Sequence, residues 1–127
     1  MLRVLTVRQP FASLIVHGIK RFETRAWPTM TRGTLLIHAA TSRHWFADDC
    51  WRWLALHRPD IPKLLKAETI DDLPKGQIIG EVNVTAVHPA DPARFSEFER
   101  HLGIFGPDTF AWELQSALEP EKKGQQS

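Results

Sequence analysis

The sequence holds a single cysteine, Cys50, so no disulfide can form within the chain and a cross-linked small-loop framework is excluded. No run approaches the ~18 apolar residues that a membrane span requires. The N-terminus shows no signal-peptide apolar region, from which a cytoplasmic location is expected. The six histidines and Cys50 show no metal-ligand spacing such as His-Glu-x-x-His, so neither a zinc site nor another cofactor is expected. Internal repeats and low-complexity segments are also missing. Nothing after Leu118 is large and apolar. Residues 119–127, "EPEKKGQQS", therefore read as a polar, disordered tail behind one domain at 1–118.

What is present is ordinary in bulk and uneven in detail. Hydrophobic content of 43% and charged content of 24% suit one soluble globular domain of 127 residues. The net charge of +1 conceals an asymmetry. Residues 1–66 carry 11 basic and 4 acidic side chains, a balance of +7, whereas residues 67–127 carry 5 and 11, a balance of −6. A basic half can attract a polyanion even in a near-neutral protein, because the local field acts at the site. The two halves can equally neutralise each other across the fold.

Periodicity places the elements. Residues 2–8 alternate as a short strand with Leu5 and Val7 on one face. Phe11, Leu14 and Ile15 mark a helix of barely two turns that Gly18 ends, delivering Lys20 just beyond it. "RFETRAW" then alternates as a strand, with Phe22, Thr24 and Ala26 on a core face and Arg21, Glu23, Arg25 and Trp27 on the other. "GTLLIHAA" is an apolar strand reaching His38. A helix is expected at 43–57, with Trp45, Cys50, Trp53, Leu54 and His57 inward, followed by an irregular stretch at 58–76, mobile or variable, with one apolar helical turn at "PKLLK". "GQIIGEVNVTAVH" is the longest strand signal, with Ile78, Val82, Val84 and Ala86 on one face. Asp91-Pro92 starts a helix that runs to Gly103, and "DTFAWEL" is a last strand. Strands unevenly interleaved with helices do not make a regular βαβ array. The fold class is α+β, a small mixed β-barrel with inserted helices.

One stretch resists a purely structural reading. "GIKRFETRAW", Gly18 to Trp27, threads Lys20, Arg21, Glu23 and Arg25 between aromatic and apolar residues. It holds the pattern Gly-x-Lys-x-x-Glu-x-Arg as Gly18, Lys20, Glu23 and Arg25. Gln9-Pro10 stands before it, Trp27 after it, and Arg32-Gly33 with an apolar strand follows. In this setting residues 4–41 closely resemble the ASCH domain, a relative of the PUA fold, and the likeness extends more loosely to 77–88 and "FAWEL".

The resemblance implies a PUA-like barrel whose motif residues line a cleft for RNA, a nucleotide or a modified nucleoside. The implied contacts are Gln9, Lys20, Glu23, Arg25, Trp27 and His38. Their chemistry agrees. Lys20 is a point charge for a phosphate, and Arg25 can fork onto phosphate oxygens or a base edge. Glu23 can fix that guanidinium or accept from a base amino group. Trp27 offers a ring for base stacking, or packs at the core or rim. His38 is an acid–base group or a structural histidine.

Two classes of function compete. One is a binding module. The other is a hydrolase using Lys20 and Glu23, since some family members are amidohydrolases of N4-acetylcytidine and others are described as ribonucleases. Those amidohydrolases place a Thr nucleophile three residues after the Lys. Glu23 holds that position here, and alternation sends the adjacent Thr24 to the opposite face. A protein-interaction role is a third possibility. Because the chain stops where related domains add a further strand, the strand with Phe110 and Trp112 is expected to be an exposed edge, open to contact with another chain.

Overall fold

A computed structural model describes residues 2–117. Among these residues five strands form one mixed sheet: β1 (Arg3–Val7), β2 (Phe22–Arg25), β3 (Gly33–Ala39), β4 (Gln77–Pro89) and β5 (Phe110–Ser116). Their order is β1-β3-β4-β5-β2; β1 runs parallel to β3 and every other pairing is antiparallel. The sheet curls into a half-barrel, and Arg25 Nη2 donates to the Thr6 carbonyl at 3.0 Å, tying edge strand β2 to edge strand β1. This is a small α+β PUA-like barrel.

Helix α1 (Phe11–Val16) is buried along its whole length and packs on β1, β3, β4 and β5. Leu14, Ile15 and Val16 meet Leu35, Ile37, Val82, Val84 and Leu114 in the core. Gly18 ends the helix at φ 75°, a conformation that a side chain would strain. The reversal lets the Ile19 and Lys20 amides both close on the Leu14 carbonyl. Lys20 is thereby turned back into the fold instead of out to solvent.

Several expectations fail for local reasons. Helix α2 (Ala47–His57) starts four residues late, so Trp45 precedes it and is exposed. Residues 58–76 hold the helical turn expected around "PKLLK" as α3 (Asp60–Leu64), but are more ordered than an irregular stretch: a 3₁₀ turn follows at Ile70–Asp72, and Ile61, Ala67, Ile70 and Leu73 are buried. The expected helix from Asp91 breaks into a 3₁₀ turn (Pro92–Arg94) and the single turn α4 (Glu97–Arg100), restarted by Ser96, whose hydroxyl accepts from the Glu99 amide. An irregularity in β4 shifts the register between Ile37 and His38, so Ile78 turns outward while Ile79 packs on the core.

The largest correction concerns β5. It lies between β4 and β2, so the strand carrying Phe110 and Trp112 is interior and not an edge; among the described residues the edges are β1 and β2. Spatial order here does not follow chain order, because among the described residues β2 pairs with β5 alone. The tail expected at 119–127 lies outside the described residues.

Candidate nucleic-acid cleft

A cavity of about 530 Å³ opens beside β2, where Lys20, Glu23 and Arg25 all border it. Lys20 is 1% exposed. Its Nζ donates to the Leu102 carbonyl at 2.6 Å and lies 5.6 Å from the Phe11 ring centroid. Glu23 is 9% exposed, and its Oε2 accepts from Arg25 Nε at 2.8 Å. With Nη2 bonded to Thr6, the Arg25 guanidinium is largely committed inside the protein. Arg25 therefore braces Glu23 and the two sheet edges more than it offers a free phosphate fork.

The two faces of β2 are not separated as alternation suggests. Thr24 and Ala26 border the same cavity as Glu23 and Arg25. The reason is topological: among the described residues β2 is an edge strand with one neighbour, so a cavity along its other side meets residues of both faces. Thr24 Oγ1 accepts from the Ile104 amide at 3.3 Å. A Cβ built on Gly103 would stand 3.0 Å from Lys20 Nζ and 3.4 Å from Thr24 Oγ1, so Gly103 admits both groups to one corner. Phe22, expected in the core, instead packs on Phe95 at 4.9 Å and borders a second cavity with His88, Arg94 and Glu99.

Three expected contacts stand elsewhere. Gln9 is 2% exposed, and its amide is consumed by Ser13 and the Pro74 carbonyl, which makes it a fastener between α1 and the segment before β4. Trp27 lies beyond the end of β2, where alternation no longer applies; its carbonyl accepts from Trp112 Nε1, and it does not line the cavity. His38 pairs with Thr6 across β1 and β3 at 3.4 Å and reaches the cavity only through that neighbour.

The sequence reading missed Arg8, His44 and Trp45, which do line it. Arg8 flanks the Gln9-Pro10 pair that prefaces the motif, and this is the one signal that pointed to it. His44 and Trp45 gave none, because the 43–57 helix pattern absorbed them. His44 Nδ1 accepts from the Phe46 amide at 3.0 Å, so its ring proton sits on Nε2. Burial lowers its pKa, Arg8 lowers it further, and Glu23 opposes. Glu99, behind β2, shows the reverse: burial raises its carboxyl, while Lys20 and the Arg21 and Phe22 amides pull it down. Burial also pushes the Cys50 thiol up to about 12, so no thiolate chemistry is available there.

The His44 shift gives a signed expectation. A histidine whose folded pKa lies below its unfolded value of 6.5 contributes stability above that pH and loses it as pH falls through 6.5. His44→Asn keeps an acceptor for the Phe46 amide through Oδ1 and removes the titration. Melting temperatures followed between about pH 7.5 and pH 5 should fall less in the variant than in the wild type. Parallel profiles would exclude His44 as the source.

The curled mixed sheet with an inserted short helix and a cleft beside β2 defines a PUA-like domain. Residues 5–124 match the ASCH domain, and the chain belongs to that family. Among curated proteins it is similar to activating signal cointegrator 1 of Homo sapiens, 39% identical over 83 residues, and to that of Mus musculus, 37% identical over 83 residues. Each match covers 63% of this chain and 13% of the relative. Among the described residues no helix is long and apolar enough to cross a membrane.

Proposed function

We propose that the cleft binds RNA or a nucleotide, with Lys20 and Glu23 meeting a polar base edge and a phosphate held nearer the mouth. One observation carries this reading: a single cavity gathers all three charged motif residues together with Arg8 and the rings of Phe11 and Trp45. Basic groups beside aromatic faces are what unpaired nucleotides require. The volume falls within the range of ligand pockets, roughly 300–1,000 Å³. Fluorescence anisotropy of a labelled single-stranded RNA across a salt series tests it. Affinity should fall linearly on a log–log plot, by about 0.7 per phosphate engaged. Arg25→Ala, which also releases Glu23, should weaken binding by about 1–3 kcal/mol. Absence of binding at low salt overturns the reading.

A second reading, hydrolysis of a nucleoside amide, is favoured by Thr24. Its hydroxyl shares the Lys20 corner despite the offset of one residue from the position the resemblance implies. Acetate released from N4-acetylcytidine by the wild type and lost in Thr24→Val would support it. A salt-insensitive affinity for free nucleoside points the same way.

A further inference from the structure

The floor and the mouth of the cleft differ in chemistry. On the floor, Lys20 and Glu23 are almost wholly buried and opposite in charge. A phosphate driven there would face the Glu23 carboxylate at close range in a poorly solvated corner, which is strongly unfavourable. The floor therefore suits a neutral polar edge, and the phosphate must remain outside.

At the mouth stand two side chains with capacity to spare. Trp45 is 76% exposed, an unusual exposure for so large an apolar surface. Its ring is nonetheless held: it stacks on His44 at 5.5 Å with 29° between planes, and it meets Phe46 edge-on at 5.7 Å. His44 in turn stands edge-on to Phe11 at 5.8 Å, so the stack is braced from the core outward. A braced, exposed ring loses little freedom when a base covers it. Arg8 Nε donates to Ser42 Oγ at 3.0 Å, which orients the guanidinium. Among the described residues its Nη groups have no partner, in contrast to the committed fork of Arg25.

We propose that Trp45 and Arg8 form a platform for one nucleotide of a single RNA strand, the base stacked on Trp45 and its phosphate on Arg8. This rests on the RNA-binding reading above and narrows it. Bases inside a duplex have both faces covered and cannot stack on a side chain, so the platform selects unpaired strands. Trp45 supplies sequence-tolerant affinity, and the Lys20–Glu23 floor is left to inspect a neighbouring group.

The test uses the full chain with a labelled mixed-sequence oligoribonucleotide, alone and as its duplex, read by anisotropy across a salt series. Wild type should prefer the single strand. Trp45→Ala should weaken single-strand binding by roughly 10- to 100-fold, and Trp45→Phe, which keeps a stacking face, should retain most of it. Arg8→Gln should reduce the salt slope by about 0.7, the share of one phosphate. Because Trp45 and Arg8 are both exposed, melting temperatures should stay near the wild-type value. If wild type binds RNA while Trp45→Ala matches it, or if the Phe and Ala variants lose affinity equally, the platform is overturned and the broader reading stands. Equal affinity for duplex overturns the platform too. If wild type binds no RNA, both fall.

Discussion

Lys20→Ala is expected to destabilise the fold by about 2–4 kcal/mol as well as to abolish ligand binding. The sequence alone presents Lys20 as a removable surface charge beyond a helix end. In the fold it is 1% exposed and supplies the Leu102 carbonyl with a donor at 2.6 Å. Truncation leaves that carbonyl unsatisfied, empties the volume of a four-carbon stem against Phe11, and removes the cation that lowers the charging cost of the buried Glu99 carboxyl. Lys20→Met restores the stem but not the donor or the charge, so it should recover part of the stability and none of the binding. Urea denaturation of the three proteins resolves the two contributions. A melting point unchanged in Lys20→Ala would show that the ammonium is not the internal fastener described.

Gly80→Ala is the second large effect, and it arises from a close approach of backbone to side chain. A Cβ at Gly80 would lie 2.5 Å from Val16 Cγ1 and 3.0 Å from Cγ2. Val16 is 2% exposed and β-branched, so it cannot swing aside without leaving its preferred rotamer or displacing α1. Overpacking of this kind costs about 1–3 kcal/mol, and the rigid seating of α1 places it toward the upper end. Val16→Ala removes both clashing carbons and leaves only Val16 Cβ, at 3.3 Å. The double variant should therefore be more stable than the sum of the single losses predicts, a coupling that denaturation curves measure directly. Strict additivity would mean that the two positions do not meet.

Much of the fold was legible because short-range rules decided it. The apolar spacing of Phe11, Leu14 and Ile15 and the stop at Gly18 are local, and helix α1 follows them. The alternation of Val82 and Val84 against Glu81, Asn83 and Thr85 is equally local, and those residues divide between core and solvent as their polarity requires. The motif spacing likewise brought Lys20, Glu23 and Arg25 to one cavity. Where local signals competed, the outcome shifted: Trp45 carried helix periodicity but fell before Ala47, with no side-chain cap to begin the helix earlier.

Only the tertiary structure decided the rest. Pairing β2 with β5 across nearly the whole chain placed Phe110 and Trp112 inside the sheet, and no local pattern encodes a partner so distant in sequence. Among the described residues the same pairing left β2 with one neighbour, which is why Thr24 shares the cleft that alternation denied it. Burial of Lys20 depends on the Leu102 carbonyl, 82 residues away, and the commitment of Arg25 depends on the far edge of a curled sheet. Residue type determined which groups could bind a nucleotide; which of them kept hydrogen-bonding capacity was determined by long-range contacts, since the Gln9 amide and most of the Arg25 fork are used inside the fold while the Lys20 ammonium, bonded once, keeps two donors.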